Sequence, residues 1–202
     1  MPDRRLVVAA ALAAVAALGA AGCSGGSSGA QPAPGTSGSE ATSASPDRKP
    51  SDRPREVKLD GKDPCSLLTD DQKKRFALDR PPQQSKDSTF RGASACTIRS
   101  EVEDISASVT TITAMGIENF GPGQVNGDVR EVQVQGFPAY EIHTPGTPTG
   151  YDFCTVNVDV ADGQVLRAHY SESGAKQPLG KEEICKRAAQ LADAAMTTLL
   201  AG

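Results

Sequence analysis

Four cysteines within residues 57–202 are the side chains of this chain with the clearest chemistry. Cys65 and Cys96 stand 31 positions apart, and so do Cys154 and Cys185. An even cysteine count in a chain bound for an oxidising compartment indicates disulfides, and we expect two, each contributing roughly 3–4 kcal/mol of stability. Three connectivities are open. The equal spacing favours the sequential pairs 65–96 and 154–185 over the pairs 65–185 and 96–154.

The histidines and cysteines do not form a metal-binding pattern. The sequence has no CxxC pair, and its only two histidines, His143 and His169, lie in strand-like runs rather than beside a cysteine pair. Structural zinc sites need four such ligands at close spacing. We therefore predict no metal ion and no cofactor.

Ser94 and the two histidines are the remaining candidates for catalysis. Ser94 stands in GASAC, which resembles the nucleophile motif G-x-S-x-G but ends in cysteine and lies where a loop enters a strand. His143 and His169 could act as general bases. Strand alternation puts both opposite the apolar faces, so we expect solvent-facing structural histidines. We predict no catalytic residue.

The charged pairs and the glycine-rich run have structural interpretations. Asp70-Asp71 and Glu182-Glu183 lie at predicted helix starts, where the helix dipole favours acids. The basic run 73–75 is predicted to be solvated helix surface. The run 121–127 lacks dinucleotide-binding spacing and is interpreted as a flexible loop.

The amino terminus has the layout of a secretory signal. Arg4 and Arg5 precede Leu6–Gly22, a run of 17 residues made only of Leu, Val, Ala and Gly. A permanent spanning helix needs about 20 apolar residues. The run therefore favours a cleaved signal over residues 1–22.

Cys23 directly follows this run. The stretch Ala20–Cys23 resembles a bacterial lipobox, with Ala20 at the position where leucine is usual. The resemblance implies that the Cys23 thiol takes a diacylglycerol, that cleavage precedes it, and that acyl chains such as palmitate tether the protein. Two or three chains hold firmly where one does not. The alternative is an ordinary secretory signal with Cys23 incidental.

Residues 23–56 have the composition of a tether. They are rich in Ser, Gly and Pro and contain no aliphatic residue larger than alanine up to position 56, so we expect disorder. Residues 57–202 have the length of one globular domain. The whole chain carries a net charge of −4, which argues against nucleic acid and against electrostatic docking on anionic lipid.

Turn residues and hydrophobic periodicity outline the domain. Asp63 and Pro64 predict a short turn, and Thr69 with Gln72 forms a capping box that starts a helix ending near Leu78. A second, long helix is predicted over 181–200 from an apolar stripe of 3- and 4-residue spacing. Residues 116–128 and 144–150 are predicted loops. Alternation predicts strands over residues 94–99, 105–114, 132–134, 139–144 (with Tyr140 and Ile142 inward), 154–160 and 166–170, the last two joined by a hairpin at Asp162-Gly163.

This order of elements predicts an α+β fold. Strands grouped between helices indicate an antiparallel sheet of about six strands. We expect an amino-terminal helix and a long carboxy-terminal helix on one face of the sheet, with two disulfides.

Several motifs together resemble a known family. They are DPCSLLT at 63–69, GFPAY at 136–140, a strand that opens with Cys154, and a late helix that carries Cys185. They resemble the actinobacterial lipoproteins of the domain of unknown function 3558 family over about residues 60–200, with Ile98 where the family usually has tryptophan. The layout is also similar to extracytoplasmic sensor domains of mycobacterial receptor kinases. The resemblance implies the fold and an envelope location, and no reaction.

Two classes of function follow. We favour an extracytoplasmic lipoprotein, anchored through Cys23 at the outer face of the cytoplasmic membrane, that acts as a non-catalytic binding or sensing module. Its partner would be an envelope protein or a small ligand, gripped by the exposed sheet face or by the loops 116–128 and 144–150. The alternative is an envelope enzyme of hydrolase type whose residues match no known motif.

Overall fold

The computed structural model describes residues 52–146, 152–172, 174 and 179–202. The predicted signal, Cys23, the tether up to residue 51 and most of the predicted loop 144–150 lie outside these residues. Within the described part, no helix combines the length and the apolar character needed to cross a membrane.

The first elements form where the capping residues predict them. A 3-10 helix, Pro64–Leu67, begins at Asp63, whose side chain accepts the backbone N–H of Cys65. Helix α1, Asp70–Arg75, has the full capping box between Thr69 and Gln72. The sequence pattern predicted that this helix ends near Leu78, but it ends at Arg75. Ala77 adopts a left-handed conformation with φ of 52°, and this conformation breaks the helix.

In the part of the chain that the structure describes, seven antiparallel strands form one sheet, and their spatial order is β1-β2-β3-β7-β6-β5-β4. The predicted α+β class is confirmed with one more strand than expected. The extra strand, β1, is a polar and exposed edge strand without hydrophobic alternation. The strands are β1 Gln83–Asp87, β2 Ala93–Ser100, β3 Ile105–Ile112, β4 Asp128–Val134, β5 Phe137–Thr144, β6 Phe153–Ala161 and β7 Gln164–Glu172.

Helix α2, Gly180–Ala201, covers one face of the sheet, which we call the helix face. Its predicted apolar stripe is buried, from Ile184 at 0 % exposure to Leu199 at 4 %. Against it pack Val156, Leu166 and Tyr170, each 0 % exposed. Burying a side chain of this size stabilises the fold by about 1.5–3 kcal/mol. This contact is the main core of the domain.

The two disulfides join the sequential pairs that the spacing favours. Cys65–Cys96 ties the 3-10 helix to β2, and Cys154–Cys185 ties β6 to α2. The second bridge lies inside the main core, because Cys154 is 0 % exposed and Cys185 5 %. The 3-10 helix Pro64–Leu67 and helix α2 are therefore linked covalently to the sheet.

The other face of the sheet, which we call the far face, has a second and smaller core. Tyr140 and Ile142, which the sequence predicts to point inward, lie on this face: Ile142 is buried in the second core and Tyr140 packs against it. Ile142 pairs with Thr155, whereas Glu141 pairs with Val156 of the helix face. Both faces of β5 are partly buried, so alternation could not tell them apart. The cluster consists of Ala93, Ile112, Phe120, Ile142 and Val165, with Phe90 and Tyr140 packed against it.

The end of the predicted tether contacts the sheet. Arg53 pairs with Asp159 and Asp162 at the β6–β7 hairpin, and Val57 N–H donates to the carbonyl of Val160 at 2.7 Å. The globular part therefore begins before Val57, the boundary that composition suggests.

Candidate functional site

Four side chains in the middle of the far face form the candidate site, which we call the polar row. Strand register places Thr155 opposite His169 and Asn157 opposite Arg167 on β6 and β7. Directly paired residues share a face, with their Cβ atoms about 4.5–5.5 Å apart. The row therefore crosses the two central strands next to the second core.

Asn157 is the most deeply buried member of the polar row, with 0 % exposure. Its amide nitrogen donates to Thr155 Oγ1 at 3.5 Å. Its Oδ1 is buried without a hydrogen-bond partner. Most buried polar atoms in native proteins are paired, so this acceptor requires an explanation.

Arg167 carries the charge of the polar row. Its guanidinium stacks over the Phe90 ring with 5.0 Å between Cζ and the ring centroid. Burial lowers the pKa of Arg167 to about 10, and Asp87 partly opposes that shift, so the group stays cationic at pH 7. Its direct neighbours across the strands, Thr110 and Asn157, are both neutral. Among the described residues, Arg167 has neither a hydrogen bond nor an ion pair.

His169 lies beside Arg167 on β7 and is mostly buried. Its ring contacts the Phe153 ring at a centroid distance of 5.0 Å, and its Nδ1 is buried without a partner. Burial, and then the charge of Arg167, lower the pKa of His169 to about 3. The imidazole is therefore neutral at pH 7 and a weak base. Its predicted solvent-facing position is wrong.

His143 is also buried, at 6 % exposure, and lies on the helix face opposite Cys154. Its Nε2 lies 3.3 Å from Asp152 Oδ2, and its Nδ1 lies 3.9 Å from Asp128 Oδ2. Asp152 also accepts the backbone N–H of Gly146. No hydroxyl or thiol among the described residues hydrogen-bonds to His143. The group joins β4, β5 and the start of β6, and the solvent-facing prediction is wrong for this histidine too.

Glu141 lies next to the buried disulfide. Its carboxylate and the sulfurs of Cys154 and Cys185 lie within 4.8 Å of one another. Metal ions bind thiolates, and the two sulfurs are joined in a disulfide. Arg130 donates to Glu141 at 2.8 Å. The cluster is therefore an ion pair packed against a disulfide.

The solvent side of α2 lines an open depression of about 1450 Å³, and most of the charges around it form ion pairs. Arg187 donates to Glu183 at 3.0 Å and to Tyr170 Oη at 2.9 Å. Burial alone would lower the pKa of Arg187, but its hydrogen bonds to Tyr170, Glu183 and Glu103 raise it. Lys181 contacts Asp128 at 2.6 Å. These charges hold the helix in place.

The other motifs of the sequence are structural. Ser94 accepts a hydrogen bond from Lys86 at 2.8 Å and has no histidine or acid among its described partners. Lys73 and Lys74 pair with Asp70 and Asp71, which confirms a solvated helix surface. The predicted loop 116–128 contains a 3-10 helix, Ile117–Phe120, which brings Phe120 into the second core.

Sequence analysis missed Asn157 and Arg167. Their alternation with valine, leucine and alanine indicated a half-buried strand with its polar side in solvent. The available signal was the type of the residues, because an arginine, a histidine and an asparagine occupy adjacent positions on the two most central strands.

Over the described residues, the fold and the site define an α+β protein with one antiparallel sheet, a long covering helix, two disulfides and a polar row on the far face. The chain belongs to the family described as protein of unknown function (DUF3558), whose model matches residues 18–198. The family expected from the motifs is thereby confirmed. Comparison with curated proteins and with solved structures found no match.

Proposed function

We propose that this protein is an exported lipoprotein, anchored through Cys23 at the outer face of the cytoplasmic membrane, that binds a ligand without chemically changing it. The observation that carries the binding function is the polar row. It presents a mostly buried Arg167 that forms no hydrogen bond or ion pair with a described residue, beside buried polar atoms of Asn157 and His169 that lack partners.

A row of this kind costs folding free energy. A buried polar group without a partner costs about 1–3 kcal/mol, and a charged one costs more. Residues that break local folding rules are expected at functional sites. Arg167 and His169 keep part of their surface open to solvent, so a ligand can reach the row from outside.

Binding without catalysis fits the acid–base properties of the row. A general base works best with a pKa near the operating pH. The pKa of His169, at about 3, is far below neutral. The strand neighbours of His169 are Ser108 and Thr155, and no described carboxylate hydrogen-bonds to its ring. The alternative, an envelope enzyme, is tested by the capture experiment described below.

Anchoring is tested by metabolic labelling with a lipid precursor in cells that express the wild-type chain or Cys23→Ala. We expect label on the wild-type chain alone, together with release of the variant from the membrane fraction. Equal labelling of both would overturn the anchor and leave the sheet site untouched.

Binding is tested by cross-linking in intact envelopes, followed by capture of the full chain and mass spectrometry of what it holds. The matched pair is Arg167→Gln against Arg99→Gln, because Arg99 is an exposed arginine on the same face of the sheet. We expect a reproducible ligand that only Arg167→Gln loses. Turnover of a captured compound into a product would replace the binding function with an enzymatic one.

A further inference from the structure

We propose that Arg167 is the anchor of a site for a small organic monocarboxylate that carries an apolar group. The inference rests on the proposed binding function and names the chemistry of its ligand. It is carried by the guanidinium of Arg167, by the unpaired Nδ1 of His169 beside it, and by the apolar cluster that it adjoins.

The charge balance of the far face calls for an anion at Arg167. The groups directly across the strands are Thr110 and Asn157, and its neighbour along β7 is His169, neutral at pH 7. Asp87 interacts with Arg167 through its charge without forming a salt bridge, and its carboxylate accepts the backbone N–H of Thr89 at 2.9 Å. Buried charges in proteins are normally paired. An anion from outside the protein would give Arg167 the ion-pair partner that it lacks.

The geometry of Arg167 favours a carboxylate. The guanidinium lies over the Phe90 ring, and a contact with the ring face uses none of the N–H groups as hydrogen-bond donors. Arginine offers a planar fork of donors that matches the two oxygens of a carboxylate. The described part of the row supplies one positive charge, which balances a singly charged carboxylate better than a doubly charged phosphate.

The surroundings favour an apolar group on the ligand. Val165, two positions before Arg167, belongs to the second core, and Phe90 packs against that core. The ring of Phe153 lies against His169 on the other side. His169 Nδ1, which is buried without a partner, can donate to the ligand when it carries the ring proton, whereas Asn157 Oδ1 is an acceptor that the carboxylate itself does not satisfy.

The test is a titration of the ¹⁵N-labelled full chain in detergent, followed by NMR, with sodium benzoate as the probe. Its neutral isostere benzamide and inorganic phosphate serve as comparison compounds. We expect saturable shifts at Arg167 Nε–H and at the backbone N–H of Phe90 with benzoate, no saturable shift with benzamide, and at least tenfold weaker binding of phosphate. Equal binding of benzamide, or tighter binding of phosphate, would overturn the carboxylate.

Two variants locate the site. Arg167→Gln is expected to weaken benzoate binding at least tenfold, Arg167→Lys to weaken it less, and Arg99→Gln to leave it unchanged. The position of the shifts in the wild-type spectrum decides the question even if a variant fails to fold, because shifts away from Arg167 contradict the site. Capture of a ligand from envelopes without benzoate binding at Arg167 would overturn this inference alone. Failure of both experiments would overturn the binding function itself.

Discussion

Asn157 shows at the level of one residue how this sheet deviates from an ordinary strand pattern. It lies between Val156 and Val158, in a strand whose other face fills the main core. An apolar side chain at position 157 would suit the burial, and the amide leaves Oδ1 without a partner. A residue that costs stability at a buried position fits a role in binding.

Asn157→Val is therefore expected to raise the free energy of unfolding, by about 1 kcal/mol, because it removes an unpaired buried acceptor. Urea unfolding measures the change. The control is Thr155→Val, which takes away the acceptor of the Asn157 amide and should destabilise the protein. A loss of stability in Asn157→Val would show that the amide is needed for the fold.

His169 should make the stability depend on pH. Its pKa is about 3 in the folded chain against 6.5 for the free side chain, so the unfolded state binds the proton more readily. This contribution to stability is complete above pH 6.5 and is lost as the pH falls toward 3. Between pH 7 and pH 5 the loss is about 2 kcal/mol.

The measurement compares urea unfolding of the wild type and of His169→Gln at pH 7 and at pH 5. Carboxylates titrate in both proteins, so the difference between them isolates the histidine. We expect the wild type to lose about 2 kcal/mol more than the variant between the two pH values. Parallel losses would show that His169 is protonated in the folded state.

At the level of elements, the short helix α1 depends on one glutamine. Gln72, 6 % exposed, completes the capping box and donates to the carbonyl of Ala194 in α2 at 2.9 Å. Its Oε1 accepts from the backbone N–H of Thr69 and from Thr198 Oγ1. One side chain thus starts α1 and fastens it to α2.

Gln72→Ala is expected to cost about 2–3 kcal/mol, because it leaves several buried polar groups unpaired. Lys73→Ala on the next position removes an i,i+3 contact with the exposed Asp70 and should cost less than about 0.5 kcal/mol. Chemical denaturation compares both variants with the wild type. Equal costs would contradict the bridging role of Gln72.

The two disulfides close loops of equal length, so they should stabilise the domain equally. Both close a separation of 31 residues, so the chain-entropy model assigns each roughly 3–4 kcal/mol. Double alanine variants of each pair, unfolded in urea, test this value. We expect similar losses from the two pairs. A loss below about 1 kcal/mol from either pair would contradict the entropic account for that pair.

The elements that the sequence predicted have strong local signals. The capping box at Thr69, the hairpin at Asp162-Gly163 and the buried stripe of α2 are all present. Strand β1 was missed because an exposed edge strand gains its hydrogen bonds from β2 and needs no hydrophobic alternation. The end of α1 was not predicted because it depends on the left-handed conformation of Ala77, and alanine does not normally favour that conformation.

At the level of the whole molecule, the site was harder to predict than the fold. The face of a sheet that is buried follows from what covers it, and here residues distant in sequence, such as Phe90 and Phe120, cover part of the far face. Alternation therefore identified the strands other than β1 but assigned Asn157, His169 and His143 to solvent. The sequence pattern indicated that this face is exposed and suggested it for binding, and the burial of its centre was not predictable from local pattern.

The attachment of the amino-terminal segment is the remaining feature at this scale. Leu59 is 1 % exposed, its N–H donates to Gln164 Oε1 at 2.7 Å, and Gln164 in turn donates to Asp60. Arg53 contacts Asp159, and their side chains are 10 % and 4 % exposed. The chain that leads to the predicted anchor is thus fixed to the β6–β7 hairpin, at the start of the strand that carries Arg167.

Arg53→Gln is expected to lower the free energy of unfolding by about 2 kcal/mol, because it removes a charged partner of the buried Asp159 carboxylate. Arg55→Gln is the matched control, since Arg55 is exposed and its one hydrogen bond to a described residue is a 3.4 Å contact with the carbonyl of Leu200. Its cost should stay below about 0.5 kcal/mol.

Urea unfolding at low salt and at about 1 M salt gives both values. Because a buried pair is screened less than a surface pair, the Arg53 effect should persist at high salt. An effect that disappears there, or equal losses in the two variants, would show that the segment is held by Leu59 and its backbone contacts alone.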